Sequence, residues 1–195
     1  MFLYVIRHGD SVYNLAGRAE GHSDSGLTLT GINYIMDLVP ILRQEFDPPQ
    51  IIFSSDLARA YNTAVLLGEQ LGIDSDRIYL TKFLREVYYG DYAGRKFDDF
   101  DPSYHRDMDK FFPNGESRNF MKMRVLYYIN QFILKQPATS IILIVHGGPL
   151  RAILSQYAGM DFFTLYEKPT PRCIYKFEFK DATSVAFDCL YSNYK

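Results

Sequence analysis

Tryptophan is absent from the 195-residue chain, which holds only two cysteines and four histidines. No apolar stretch approaches the ~20 residues that cross a bilayer. Net charge is −2, and no basic run of the kind that marks a nucleic-acid or membrane surface is present. The N-terminus lacks a charged lead and a small-residue cleavage site, so it does not read as a secretion signal. Cys173 and Cys189 fall on the apolar side of two alternating segments, Cys173-Tyr175-Phe177-Phe179 and Val185-Phe187-Cys189. Buried thiols fit those positions better than a disulfide framework does. These shortages predict a soluble, cytoplasmic protein, monomeric or homodimeric, whose partner is neither nucleic acid nor membrane.

What is present suits a single globular domain over residues 1–195. Hydrophobic residues make up 47%, enough for one sizeable core at this length. Phe2–Ile6 reads as a strand covered on both faces, followed by a polar, glycine-bearing loop from Gly9 to about Thr30. Ile32, Ile35, Met36, Val39 and Phe46 recur at helical spacing, with Pro40 expected to kink the helix and Asp47-Pro48-Pro49 to stop it. Ile51–Phe53 is a short strand, and Ser54-Ser55-Asp56 offers capping oxygens to a helix that ends at Gly72.

Arg77–Thr81 predicts a further strand. From Tyr88 to Phe112 many Tyr, Phe and Asp residues, with Pro102 and Pro113 as breakers, predict a lid-like insertion of loops and short helices. A helix with Met121, Val125, Tyr128, Phe132 and Ile133 on one face leads to a second buried strand, Ile141–Val145. Pro149 suits the first turn of the helix after it. The alternation on both sides of Lys180–Ser184 predicts a terminal hairpin. The fold class is therefore α/β: three layers, with a mixed, mostly parallel sheet.

Two of these strands run into the same pair of residues. Phe2–Ile6 leads to Arg7-His8-Gly9, and Ile141–Val145 leads to His146-Gly147. In open α/β sheets, ligands bind outside the carboxyl ends of strands, so neighbouring strands would turn both imidazoles to one pocket. Each following glycine lets the chain turn sharply and lets a ligand approach the backbone. Arg59 falls in the first turn of the helix behind a third strand end, where a cation opposes the helix dipole unless an anion is near. Glu86 follows the Thr81–Arg85 segment, before a loop containing Tyr and Gly. Two arginines, two histidines and a carboxylate suit a phosphoryl group. Guanidinium forks match its oxygens, an imidazole can attack phosphorus, and a carboxylic acid can protonate the leaving oxygen.

The segments that carry these residues resemble the histidine phosphatase superfamily, the phosphoglycerate-mutase-like group. YVIRHGDSVYN resembles its signature of a strand, Arg-His-Gly, an acid, Ser or Thr, two residues and Asn. RAEGHSDSGLTLTG, SSDLARAYNTA, LREVYYGDYAGR, FPNGES and IVHGGPLR follow in the family's order. The resemblance implies a phosphoglycerate mutase-like fold, with His8 as nucleophile, forming a phosphohistidine. It implies that Arg7, Arg59 and His146 hold the phosphoryl oxygens with Asn14, and that Glu86 gives a proton to the leaving alcohol and takes one from water. Ser11, Glu20, Gly21 and Gly147 join Arg7, Arg59 and Asn14 in the implied substrate-binding set. No metal and no cofactor is implied, because arginine and histidine meet the charge. His8 must be neutral to attack, and surrounding cations keep it so. Three residues depart from the family's usual pattern: Asp10 for Glu, Ser11 for Thr, and Glu20 for Gln.

Plainer roles compete for several positions. Arg59 could pair with Asp56 on its own helix, Glu86 with Arg85 at the surface, and Asn14 could serve a turn. His22 and His105 are expected on exposed loops, and Tyr89, Tyr92 and Phe97 in the core of the insertion. A metal-dependent hydrolase built on His8, Asp10, His22, Asp24 and His146 lacks the ligand spacing of such sites. A module that only binds phosphorylated ligands would be expected to lose the nucleophile or the acid. Within the family, the Tyr88–Phe112 segment carries six Asp against four Lys or Arg. Phe97 stands where the similar mutases typically have a Lys. Both features favour a phosphatase acting on a small phosphorylated metabolite over a phosphoglycerate mutase.

Overall fold

The computed structural model describes residues 1–45, 51–167, 172–180 and 185–192. Phe46, the Asp47-Pro48-Pro49 stop and the tip of the terminal hairpin lie outside the described residues. In chain order the elements are β1 (Phe2–Arg7), α1 (Val12–Leu15), α2 (Leu29–Glu45), β2 (Ile51–Ser55), α3 (Ala58–Leu71) and β3 (Ile78–Thr81). They continue with α4 (Ser103–Arg106), α5 (Arg118–Gln131), β4 (Ser140–Val145), α6 (Gly147–Tyr157), α7 (Phe162–Glu167), β5 (Cys173–Phe179) and β6 (Val185–Ser192).

The six strands form one sheet in the order β3-β2-β4-β1-β5-β6. The first four are mutually parallel, while β5 pairs antiparallel with both β1 and β6. Because successive side chains of a strand face opposite ways, β1 and β4 feed two cores. Tyr4, Ile6, Ile142 and Ile144 pack under α2 and α3, against Ile35, Leu38, Ala64 and Leu67. Leu3, Val5, Ile141 and Leu143 pack on the other face against Met121, Val125 and Ile129 of α5 and Leu150 and Ile153 of α6. The layers are thus helix, sheet, helix, as the alternation of elements predicts.

Helix ends depart from the sequence reading in instructive ways. Pro40 lies inside α2, where the sequence pattern puts it, and the helix continues past it to Glu45. The proline sits on the exposed side, where solvent can meet the carbonyl that its missing N–H leaves behind. The helix starts on Thr28, whose hydroxyl accepts from the Gly31 N–H at 3.1 Å. Ser54, Ser55 and Asp56 do not cap α3 with a side-chain bond. The cap comes from a distant loop, where Asp24 accepts from the Ala58 N–H at 3.0 Å.

The segment from Tyr88 to Phe112 folds as short turns of helix around its own rings. Tyr89, Phe100, Tyr104 and Phe112 are buried, with Tyr89 and Phe112 5.0 Å apart in an edge-on contact and Tyr104 stacked on Phe112 at 4.3 Å. The expectation for the cysteines is corrected. The two are not free thiols but form a disulfide between β5 and β6, with Cα atoms 6.2 Å apart. Alternation shows which face a side chain takes, and both do share a face. It does not show the pairing register, and β6, at the sheet edge, leaves Cys189 exposed.

Backbone meets backbone where the loop after β1 crosses the start of α2. A Cβ at Gly31 would lie 2.4 Å from the Asp10 carbonyl oxygen and 2.6 Å from its nitrogen, and one at Gly9 would lie 2.6 Å from the Gly31 oxygen. Neither contact can be relieved by a rotamer change. Gly31→Ala is therefore expected to lower stability by about 1–3 kcal/mol, the usual range for overpacking. Urea unfolding checks this, and an unchanged midpoint would show that the two backbones are not in contact.

Candidate active site

β1 and β4 run side by side with Arg7 opposite Val145, so the next residues, His8 and His146, leave the sheet together. Their ring centroids are 4.8 Å apart, and both side chains are buried. Arg59, in the first turn of α3, is 1% exposed. Its Nε donates to His8 Nε2 at 3.3 Å. Its terminal nitrogens donate to the carbonyls of Gly21 and Ser23, each at 2.8 Å, and to Asp24 Oδ1 at 3.1 Å. Arg59 does not pair with Asp56, which Arg85 grips through both oxygens at 2.6 Å.

The geometry fixes the His8 tautomer. Nδ1 lies 2.7 Å from the Gly9 carbonyl oxygen, which can only accept, so Nδ1 carries the proton. Nε2 then keeps its lone pair, to which the Arg59 Nε–H points. Burial, followed by Arg59 and Arg7, holds the His8 pKa well below the ordinary imidazole value. Burial, followed by Arg59, His8 and Arg7, does the same for His146. The sequence reading credited cations alone; desolvation is the larger cause. Both His146 ring nitrogens are buried without a hydrogen-bond partner among the described residues, an expensive condition that a phosphoryl oxygen could relieve.

Glu86 reaches the start of α6. Its two carboxylate oxygens each lie 3.1 Å from the Gly148 N–H, and Oε1 also accepts from the Val87 N–H at 2.9 Å. A Cβ at Gly148 would sit 2.3 Å from Glu86 Oε1, which explains the second glycine of His146-Gly147-Gly148. Beside it, a Cβ at Gly147 would meet Arg151 Nη1 at 3.0 Å, Glu86 Oε2 at 3.6 Å and Arg7 Cζ at 4.0 Å. Three charged groups thus converge on Gly147. Arg7 Nη2 also reaches Asn14 Oδ1 at 3.5 Å.

These residues share a cleft of about 510 Å³ lined by Arg7, His8, Asn14, Glu20, Gly21, Arg59, Glu86 and Gly147, with His146 buried beside His8. Two members of the implied substrate set are engaged elsewhere. Ser11 caps α1, accepting from the Asn14 N–H at 3.2 Å, and its hydroxyl donates to Glu20 at 2.5 Å. It does not line the cleft. Glu20 touches the cleft, but its carboxylate also accepts from the Ser25 N–H and hydroxyl at 2.8 Å and lies 3.4 Å from Arg59 Nε. It acts as a counter-charge to Arg59.

Sequence reasoning missed several neighbours. Arg18, Arg118 and Arg151 line the cleft, with Tyr89 and Phe97. Arg18 and Arg151 stood inside motifs already quoted, and Arg118 directly after one, so the signal was present. His22 is not on an exposed loop: it is half-buried, its Nε2 lies 2.9 Å from the Glu86 carbonyl, and its ring stacks on Tyr88 at 4.8 Å. The His105 side chain lies outside the described residues. His22 faces a carbonyl and Asp24 faces Arg59, so the proposed metal ligands do not gather. Among the described residues no group of three or more His, Cys, Asp or Glu could hold a metal ion.

Residues 3–186 match the profile of the histidine phosphatase superfamily (branch 1). The chain belongs to that superfamily. Glucosyl-3-phosphoglycerate phosphatase of Mycolicibacterium vanbaalenii is 28% identical over 172 residues, covering 81% of this chain and 74% of that protein. The 2,3-bisphosphoglycerate-dependent phosphoglycerate mutase of Methylorubrum populi is 32% identical over 173 residues, covering 84% and 82%. The solved structure of a phosphoglycerate mutase from Thermus thermophilus matches with a TM-score of 0.71 at 30% identity, covering 92% of this chain and 94% of that one. Phosphatases and mutases therefore both stand among the similar members of the superfamily.

The buried imidazoles make stability depend on pH. In the unfolded chain a histidine titrates near 6.5, whereas folded His8 and His146 titrate well below their ordinary value. Below about pH 6.5 the unfolded state binds more protons, so stability falls as pH falls. Between pH 6.5 and 5.5 each imidazole removes about 1 kcal/mol, and half-buried His22, also lowered by burial, adds a smaller share. His8→Asn should abolish its share of that loss. Urea unfolding at the two pH values checks this, and equal stability at both would show that the imidazoles titrate normally.

Proposed function

We propose that this member of the histidine phosphatase superfamily is a metal-independent phosphatase that hydrolyses a small phosphomonoester through a phosphohistidine at His8. The observation that carries the reading is the His8 Nε2 lone pair, left unprotonated by the Gly9 carbonyl bond at Nδ1, on a residue that lines the cleft with Arg7, Arg59 and Glu86. In the first step Nε2 attacks phosphorus and the P–O ester bond breaks. Glu86, as carboxylic acid, gives its proton to the departing alkoxide. In the second step Glu86, now carboxylate, takes a proton from water as the oxygen attacks phosphorus, and the P–N bond breaks to return His8 and inorganic phosphate. Arg7, Arg59, His146 and Asn14 hold the phosphoryl oxygens, with the backbone at Gly147 close by.

Every residue of this set comes from one chain, so a single protomer suffices, whether the protein is a monomer or a homodimer. A cleft of about 510 Å³ suits a small phosphorylated metabolite, and such metabolites are held inside cells, which supports a cytoplasmic location. The Cys173–Cys189 disulfide does not add to that support, since such bonds are uncommon in the cytosol. Among the described residues no helix is long and apolar enough to cross a membrane. A mutase reading draws on the relatives named above and on Arg18, Arg118 and Arg151 along the cleft. Phe97, which adds an apolar ring to that lining, supports the phosphatase.

His8→Ala is expected to abolish phosphoenzyme formation and phosphate release, while vanadate inhibits the wild type and EDTA does not. Substantial turnover by His8→Ala would sink the reading. Loss of activity on chelation, restored by a divalent ion, would move it to a metal hydrolase. With 3-phosphoglycerate and 2,3-bisphosphoglycerate supplied together, release of inorganic phosphate identifies the phosphatase, and formation of 2-phosphoglycerate without it identifies the mutase.

The acid role has its own test. Glu86→Gln should slow the first turnover of O-phosphoserine by ~10²-fold or more, the usual value of general acid help, but leave the 4-nitrophenyl phosphate burst far less affected. A nitrophenolate leaves without a proton. Equal slowing of both first steps would show that Glu86 only positions the phosphate.

A further inference from the structure

The backbone from Arg85 to Tyr89, which carries Glu86, belongs to no helix and no strand. Its polar groups must therefore find partners outside any regular ladder, and α5 and the residues before it supply them. Arg124 donates from Nη2 to the Glu86 carbonyl and from Nη1 to the Phe83 carbonyl, each at 2.8 Å. The same guanidinium clasps Glu116 through Nη2 at 2.6 Å and Nε at 3.0 Å. Glu116 in turn brackets Tyr88, accepting its N–H at 2.9 Å through Oε1 and donating its own N–H to the Tyr88 carbonyl at 2.9 Å. His22 Nε2 closes on the Glu86 carbonyl from the opposite loop at 2.9 Å, which makes it a donor.

The Arg124 and Glu116 side chains are 14% and 10% exposed. A buried ion pair adds little net stability compared with apolar packing, yet it fixes geometry. Only the planar fork of arginine can serve two carbonyls and a carboxylate together. We infer that Arg124 and Glu116, assisted by His22, are positioning residues that set the Glu86 carboxylate against the ester oxygen. The inference rests on the acid role proposed for Glu86. A misplacement of about 1 Å can cost on the order of 10²-fold in rate, so the clamp has consequences even though none of its members touches substrate.

Arg124→Lys keeps the charge and loses the fork. The measurement is the first-turnover rate on O-phosphoserine, divided by the 4-nitrophenyl phosphate burst rate under the same conditions. The clamp requires that ratio to fall about tenfold or more in Arg124→Lys, and to show no further fall when Arg124→Lys is added to Glu86→Gln. A merely structural role would slow both esters alike and leave the ratio unchanged, which overturns the inference. So does a full further fall in the Glu86→Gln background. Glu116→Gln, which keeps an acceptor for Tyr88 and removes the charge, is read in the same way and stands in if Arg124→Lys does not fold. If Glu86→Gln itself leaves the ratio unchanged, the acid role falls and the clamp with it. If Glu86→Gln lowers the ratio and the clamp variants do not, the clamp alone falls.

Discussion

Keeping one imidazole uncharged among guanidiniums is the constraint on which the rest of this site depends. For the attack proposed above His8 must offer a lone pair at Nε2, yet Arg59 touches that atom and Arg7 precedes it in the chain. Burial disfavours the imidazolium, and both cations disfavour it further. A buried guanidinium needs compensation of its own. The loop from Glu20 to Ser25 wraps Arg59 with the carbonyls of Gly21 and Ser23 and the carboxylates of Asp24 and Glu20. The replacement of the family's usual Gln by Glu20 is then intelligible. It adds a negative charge beside the most buried cation, and the hydroxyls of Ser11 and Ser25 hold it there.

The sheet supplies the remaining precision. Adjacent parallel strands deliver His8 and His146 in register, with apolar packing on both faces to make the strand ends rigid. Close backbone approaches then fix the connections. Gly31 lets the loop after His8 lie on the first turn of α2, and Gly148 lets the Glu86 carboxylate sit on the first turn of α6. A single added methyl would collide with the Asp10 backbone in the first place and with the Glu86 carboxylate in the second. The two glycines that follow His146 are thus part of the acid's seat as much as of the histidine's turn.

The strands, the layer order and the meeting of His8 with His146 at neighbouring strand ends were legible because they depend on local pattern: apolar runs, punctuating glycines and short motifs in sequence order. What stayed hidden depends on partners far apart in the chain. Asp24 caps a helix that begins at Ala58, Arg124 holds a carbonyl at Glu86, and Cys173 meets Cys189 across a strand pair. Periodicity carries no information about such pairings. Ser11 and Glu20 show the converse limit. They lie in a motif near the site, and a motif does not reveal which of its side chains face the ligand and which hold the others.

The basic residues divide by what they touch. Arg85 and Arg124 are bound to carboxylates, and Arg59 to both carboxylates and carbonyls. Arg85 and Arg124 thus fix loops outside the cleft, while Arg59, partly compensated, still lines it. A cluster with every cation uncompensated would hold the ester, the phosphoenzyme and the released phosphate with comparable strength, which lowers KM and slows product release without favouring the transition state. Compensation at Arg59 limits that effect, so the site can favour the changes that the proposed reaction brings: positive charge arising on His8 as Nε2 bonds to phosphorus, and the shift of a proton at Glu86. Differential stabilisation of this kind requires fixed dipoles more than a high net charge: the carbonyl at Gly9 faces the proton on His8 Nδ1, and the N–H at Gly148 faces the Glu86 carboxylate.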